Sequence, residues 1–543
     1  MKKLRLPALA MFVLVLAVAA HAQFSLLYNL GTNAGDPTFP TWVGNFVQAR
    51  DGNLYSTSPT GGSGAYPYEG TVFQLTPAGT LKVLHNFTDV TAYSPQSGLT
   101  LGTDGNLYGT TTAGFSGNNG NAGTIFRIST GGAFKVLHYF NVNIDGETPY
   151  APPIQATDGN FYGTTGYGKN GVFGSVYKMT PAGIVTPLIA NLGGHAAGIV
   201  QATDGNFYGT VRAPAGTARS GVIFRMTSAS KYTVLHNFAG YPNDGYDPAG
   251  TIIQASDGNL YGTTASGGPN NTGTIYKVTL AGAYKVIFNF PPIADGRNVF
   301  AGLTQGTDGN LYGATCHGGT TDHGVLFRVT YAGSFSLLYS FPNNAGNSTA
   351  CPQVALFQHT NGIFFGDIYE GGTHADGGVY SLKEGLHPFV ALVTTSGKAG
   401  QTIEILGNGL TGATSVKFGT GSATTFNVVS DTYMTAMVPA TGTTGPVTVA
   451  APSGNRVSSK KFRVLPVISG FSPTSGKVGS SVIITGTGLS QTSQVTFGGV
   501  KATITAVSAT KVTATVPTGA ITGKITITTP GGTATSAAAF TVI

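Results

Sequence analysis

Six aspartates stand in one recurring phrase: DGNLYST at 51, DGNLYGT at 104, DGNFYGT at 158 and 204, DGNLYGT at 257 and DGNLYGA at 308. A carboxylate in such a phrase can do acid–base chemistry, hold calcium or shape a turn. The phrase lacks the alternating ligand spacing of a calcium loop, so the turn role is expected. A second grouping is CHGGTTDH at 316–323 with EGGTHAD at 370–376. Its Cys316, His317, Asp322, His323, Glu370, His374 and Asp376 match no established zinc template, so loop polarity is expected, with no metal or cofactor. No Gly-x-Ser-x-Gly, His-Glu-x-x-His or phosphate loop occurs.

The spacing of the phrase says what must position these residues. Successive copies lie 53, 54, 46, 53 and 51 residues apart, and a worn copy, TNGIFFG, follows at 360–366. Each unit carries four strand-like runs; in the second they are GLTLGT, NLYGTTT, GTIFRIS and AFKVLHYF. Asp-Gly between the first two runs predicts a type I′ hairpin, with positive φ at both central residues. Four strands in about 50 residues fit a propeller blade and exceed a solenoid coil. Tyr55, Tyr108, Tyr162, Tyr208, Tyr261, Tyr312 and Phe365 are then inter-blade core. His85, His138 and His236, repeated in the fourth strand, are packing residues. Asp145, Glu147, Asp244, Asp247 and Asp295, between units, are expected to be turn or cap residues.

Seven fourth-strand segments occur, and the first, FSLLYNL at 24–30, precedes every Asp-Gly unit and nearly duplicates FSLLYSF at 335–341. The N-terminal strand is therefore expected to complete the last blade, which leaves no free sheet edge. These residues resemble the tandem Gloeo/Verruco (GloVer) repeat of exported bacterial proteins, which implies no established activity. A different repeat follows: SGKAGQTIEILGNGL at 396–410 returns as SGKVGSSVIITGTGL at 475–489. Its short Thr/Val-rich strands are spaced like a β-sandwich. The PTSG, GTGL, VTFGG and VP signatures resemble IPT/TIG immunoglobulin-like domains, which implies spacer, adhesion or glycan-associated roles. The expected fold is all-β, a seven-bladed β-propeller followed by two immunoglobulin-like β-sandwich domains. The expected divisions are 1–22, 23–385, 386–465 and 466–543.

Residues 1–22 have a basic start, an apolar run from Leu6 to Ala20 and the small-x-small site Ala20-His21-Ala22. They read as a secretory signal with cleavage before Gln23, with no membrane span after it, which implies a secreted or cell-surface protein. Charge is unevenly divided: no acidic residue follows Asp431, and eight Lys and Arg there give +8. That end can meet an anionic envelope polymer, or its lysines simply keep it soluble; no specific nucleic-acid recognition is expected. Cys316 and Cys351 are the sole cysteines. The repeat map puts them on one rim in neighbouring blades, a disulfide arrangement in an exported chain.

If turns and strands are scaffold, recognition falls to the loops between second and third strands, which differ among units. They offer Tyr66, Tyr68, Phe115 and Tyr167 as rings, Asn118, Asn119, Asn270 and Asn271 as amides, and Lys169, Arg212 and Arg219 as cations. Rings against sugar faces and amides on hydroxyls would suit an extracellular polysaccharide. The preferred reading is an exported, non-catalytic binding or adhesion protein; the alternatives are a polysaccharide-active hydrolase or lyase and a structural envelope component. Two carboxylates converging at the propeller mouth would favour the enzyme, and an uncharged aromatic mouth the binder.

Overall fold

The computed structural model describes residues 22–40, 46–63, 69–87, 92–114, 121–213, 220–292, 296–342 and 350–543. Among these, residues up to Lys383 form seven four-stranded antiparallel sheets, the blades of a propeller. Blades 1 to 6 take four strands each in chain order; blade 1 is Val47–Gln48, Leu54–Ser58, Thr71–Leu75 and Leu81–Asn86. Blade 7 takes Phe357–Gln358, Phe364–Ile368 and Gly378–Lys383, and its fourth strand is Gln23–Asn29, with Phe24 opposite Leu382 and Tyr28 opposite Val379.

Closure is visible in the cores as well. Apolar clusters join each blade to the next, and the last unites Leu54, Phe73 and Leu75 of blade 1 with Phe365 and Val379 of blade 7. The repeated tyrosines fill these seams: Tyr108 meets Phe161 at 4.1 Å, Tyr162 meets Phe207 at 4.3 Å and Tyr312 meets Phe364 at 4.3 Å between ring centroids. His85 and His236 stack on Phe134 and Tyr284 of the following blade, at 3.9 and 3.6 Å. His138 and His236 also reach Asp145 and Asp244 in the connectors, at 2.7 and 2.9 Å.

The repeated phrase is a self-contained hydrogen-bonding device. In blade 2, Asp104 accepts from the Asn106 N–H at 3.1 Å and its amide at 2.7 Å, and the buried Tyr108 donates its hydroxyl to the same carboxylate at 2.9 Å. The seventh copy has Asn361, Ile363 and Phe365 at these places, so carboxylate, amide and hydroxyl are lost together. The coupling is physical, because a buried hydroxyl without its acceptor costs about 1–3 kcal/mol and a Phe avoids that. The turn differs from the expected type I′. Gly52, Gly105, Gly159, Gly205, Gly258 and Gly309 take positive φ, while none of the preceding aspartates does. The Gly52 N–H bonds back to the Ala49 carbonyl, and the Ala49 N–H bonds to the Asn53 carbonyl. This is a three-residue loop, a type I turn closed by a left-handed glycine. The aspartate keeps negative φ and aims its carboxylate forward at the Asn N–H.

A second device links blades. The glutamine ending a first strand accepts the N–H of the residue just before the neighbouring blade's Asp-Gly: Gln155 from Thr103 (2.8 Å), Gln201 from Thr157 (2.9 Å), Gln254 from Thr203 (2.9 Å), Gln305 from Ser256 (2.9 Å), Gln358 from Thr307 (3.0 Å) and Gln48 from Thr360 (3.0 Å). Blade 2 has Leu101 at this place, and the turn it faces carries Arg50 instead of Thr or Ser.

Two β-sandwiches follow, with the same strand order in both. In each, the SGK segment gives a short strand parallel to the last one: Ser396 beside Arg463, and Ser475 beside Thr541. Their cores centre on Ile405, Phe418, Val447 and Phe462, and on Ile484, Phe497, Ile525 and Phe540. The first sandwich sits against the rim of Asp-Gly turns. Arg50 forks onto Glu404 at 2.5 and 3.1 Å and lies 5.0 Å from the centroid of the Tyr433 ring. Thr360 donates to the Gly407 carbonyl at 2.8 Å, and Arg463 reaches the Thr203 carbonyl across the ring in blade 4. On the opposite rim, Cys316 and Cys351 form a disulfide between the second-to-third loop of blade 6 and the connector to blade 7.

Asp367 of blade 7 stands where blades 1 to 5 have Thr57, Thr110, Thr164, Thr210 and Thr263. It is 2% exposed, and burial holds its carboxyl well above the ordinary range. A raised folded pKa favours the protonated form, so its support is complete below the unfolded value and is lost as pH rises through the folded value. Asp367→Thr should therefore gain stability over wild type at pH 8 and gain little at pH 4. Urea unfolding at the two pH values measures this, and an equal difference at both would contradict it.

Candidate functional site

Connectors and second-to-third loops emerge on the rim opposite the Asp-Gly turns, and there the backbone is repeatedly forced. Phe39, Ser94, Thr148, Asp247 and Cys351 each take positive φ immediately before a proline, and Asn298 does so before Val299. Left-handed conformation costs a non-glycine residue roughly 1 kcal/mol, so the turn is held by its surroundings. The Ser94, Thr148, Asp247 and Asn298 N–H groups bond to the Glu69, Ala122, Ser220 and Thr272 carbonyls of the preceding blade's loop. Two residues beyond four of these bends lie Gln96, Tyr150, Ala249 and Phe300.

These bends frame a cavity of about 910 Å³ at the propeller mouth. Its rings are Phe39, Tyr150, Tyr167, Tyr246, Phe300 and Tyr369, and its polar groups include Gln96, His195, Arg212 and Asp247. Phe39 and Tyr369 pair at 5.6 Å between centroids, closing the side nearest blade 7. Tyr167 meets the His195 ring edge-on at 4.9 Å.

The mouth's charge is internally matched. Arg212 ends the second strand of blade 4 and makes an ion pair through Nε with Asp247 in the connector to blade 5. Burial pushes the Asp247 carboxyl up, and the adjacent guanidinium opposes that push. Burial also pulls the His195 imidazole below its usual range. With its Nδ1 3.0 Å from the Gly166 carbonyl, the neutral ring donates there and keeps Nε2 as an acceptor. Asp247 is the one carboxylate among the described lining residues.

The structure separates the residues singled out from sequence. Tyr167 and Arg212 line the mouth. Lys169 lies exposed in a single 3₁₀ turn, Lys169–Gly171, outside the lining. Asn270 and Asn271 serve their own loop: the Asn270 amide donates to the Phe290 carbonyl at 3.3 Å, and Asn271 accepts from the Gly267 N–H at 2.9 Å. Tyr66, Tyr68, Phe115, Asn118, Asn119 and Arg219 lie outside the described residues. Of the Cys/His/Asp grouping, Cys316 is in the disulfide and Asp322 holds Arg297 at 2.5 Å. Asp145 and Asp244 cap their connectors, whereas Asp247 belongs to the mouth. Tyr150, Tyr246 and Phe300 lie in connectors and His195 in a first strand, outside the second-to-third loops to which the sequence assigns recognition. The aromatic at a fixed place in TPYAP and NVFAG was the available signal.

The Gloeobacter/Verrucomicrobia repeat profile matches residues 14–198 and 195–427, and the IPT/TIG domain profile matches 466–542. The chain belongs to the Gloeobacter/Verrucomicrobia repeat family. No curated protein sequence matches it. Among solved structures, a fungal alcohol oxidase of the AA5 family in complex with copper is 15% identical, with 80% of this chain and 100% of that chain covered and a TM-score of 0.45. The calcium-binding protein regucalcin from Agrobacterium tumefaciens is 16% identical, covering 55% and 92%, with a TM-score of 0.35. SGBP-B from a xyloglucan utilization locus of Bacteroides uniformis is 20% identical over 28% of this chain and 48% of that one, with a TM-score of 0.16.

The ion pair makes a direct prediction. An adjacent guanidinium depresses an aspartate's titration. Arg212→Ala should therefore raise the Asp247 titration further, read from its carboxyl carbon by NMR. An unchanged titration would show that the two side chains do not pair in solution.

Proposed function

We propose that this is an exported, non-catalytic protein that binds a neutral glycan in the propeller mouth. The observation carrying this reading is the mouth's composition: six aromatic rings around one carboxylate already engaged by Arg212. Rings supply flat apolar surface for the C–H faces of pyranoses, and a side-by-side guanidinium and carboxylate supply donors and an acceptor for neighbouring hydroxyls. An anionic sugar would have to displace Asp247 from Arg212, so a neutral one is favoured. Two-carboxylate glycoside hydrolysis needs a second acid at about 5–9.5 Å, and the described lining offers none.

Export follows from the leader read in residues 1–22, nearly all of which precede the described chain. No helix among the described residues is long and apolar enough to cross a membrane. The basic final sandwich, with no acidic residue after Asp431, would favour retention near anionic envelope polymers.

Glycan-array screening of the intact chain, with product analysis of each hit, tests the reading. Tyr167→Ala and Tyr246→Ala should each weaken binding of a hit by about 5- to 30-fold, the equivalent of about 1–2 kcal/mol, without altering the fold. Cleavage of the bound glycan, or full affinity in both folded variants, would contradict it.

A further inference from the structure

Among the described residues, those lining the cavity come from around the ring. Tyr369 of blade 7, Thr60 of blade 1, Gln96 before blade 2, Tyr167 of blade 3, Arg212 of blade 4 and Phe300 before blade 6 surround one axis. A polymer crossing a binding site needs two openings, as a groove or an uncovered sheet edge provides; a ring of contributors provides one.

A void of about 70 Å³ shares Ala249 and Phe300 with the large cavity and is otherwise lined by Gly250, Thr251, Gly302, Leu303 and their neighbours. Adjacent connectors touch there: a Cβ on Gly250 would come within 2.8 Å of the Gly302 nitrogen. The far rim is spanned by the first sandwich, which contacts Arg50 in blade 1, Thr360 in blade 7 and Thr203 across the ring in blade 4. The cavity volume, about 910 Å³, falls within the roughly 300–1,000 Å³ of sites for compact ligands.

We infer that the mouth is a blind well that takes the end of a glycan chain or branch and refuses the interior of a long chain. This rests on the glycan reading above and adds the part of the polymer that is read. Thr60, Gln96 and Tyr150 on one side and His195 and Arg212 on the other would receive the terminal residues, and the sandwich beneath keeps the chain from threading through.

The experiment uses the full chain with amylose, β-1,3-glucan, xylan and mannan, each intact and each cut to hexasaccharides at equal mass. Bound protein per unit mass should rise in proportion to the new ends, with one protein per chain, and cyclodextrin should fail to compete with maltohexaose if amylose is the glycan bound. Binding per unit mass that is unchanged on cutting, or several proteins on one long chain, with either lost in Tyr167→Ala and Tyr246→Ala, overturns the blind well and leaves glycan binding standing. Failure to bind all four glycans in both forms, or binding indifferent to both substitutions, overturns the glycan reading and the well together. Circular dichroism of the variants confirms that they fold.

Discussion

A side-chain amide closes this ring. Each glutamine at the end of a first strand accepts the N–H that begins the neighbouring blade's Asp-Gly turn (Asn-Gly in blade 7), and Gln155, Gln201 and Gln254 donate in turn to the Gly159, Gly205 and Gly258 carbonyls of their own turns at 3.0, 3.1 and 3.0 Å. Such bonds are worth about 0.5–1.5 kcal/mol net apiece, less than the aromatic seams beside them. Their value is geometric, because apolar packing does not fix the height of one blade against the next. A directional bond at each junction does so, and blade height sets which residues reach the mouth at the opposite rim.

The one junction without this clasp is where the chain attaches its next unit. Leu101 stands in place of glutamine, and Arg50 turns its guanidinium to the Thr103 carbonyl at 3.0 Å and to Glu404 of the first sandwich. Burial raises the Glu404 carboxyl and Arg50 draws it back. Blade 7, whose turn has lost the Asp–Asn–Tyr set, provides the other anchor. There the buried His359 stays neutral, its Nε2 donating to the Gly52 carbonyl at 2.9 Å and its Nδ1 accepting from the Asn361 N–H at 3.1 Å. Two of the places where the sandwich is held are thus places where the repeat departs from its pattern, while the third, Thr203 in blade 4, keeps it.

Whatever repeats locally was legible in the sequence. The blade unit, the closing strand at 23–29 and the core tyrosines follow from period and alternation, which are properties of a strand and its neighbours. The hydroxyl of Tyr108 on Asp104 lies within a single phrase, yet a turn role for one and a core role for the other do not by themselves imply a bond between them. The glutamine clasp spans about 50 residues and leaves no local trace beyond a polar residue ending an apolar strand. The mouth is legible only in part. Tyr167 and Arg212 end second strands where the varied loops begin, but Tyr150, Tyr246, Asp247 and Phe300 lie in connectors, where a left-handed bend decides what faces the axis. Nothing in a propensity pattern signals positive φ at Thr148 or Asp247.

The two rims therefore have separate tasks: repeated, hydrogen-bonded turns hold blade against blade, and strained, varied connectors present chemistry. Hydrogen–deuterium exchange of the intact chain, with and without a retained oligosaccharide, tests that division most directly. Protection should appear in the segments holding Tyr150, Tyr167, His195–Ala197 and Tyr246–Asp247, with the Asp-Gly turns and both sandwiches unchanged. Protection confined to the Asp-Gly rim or to the final sandwich would contradict it.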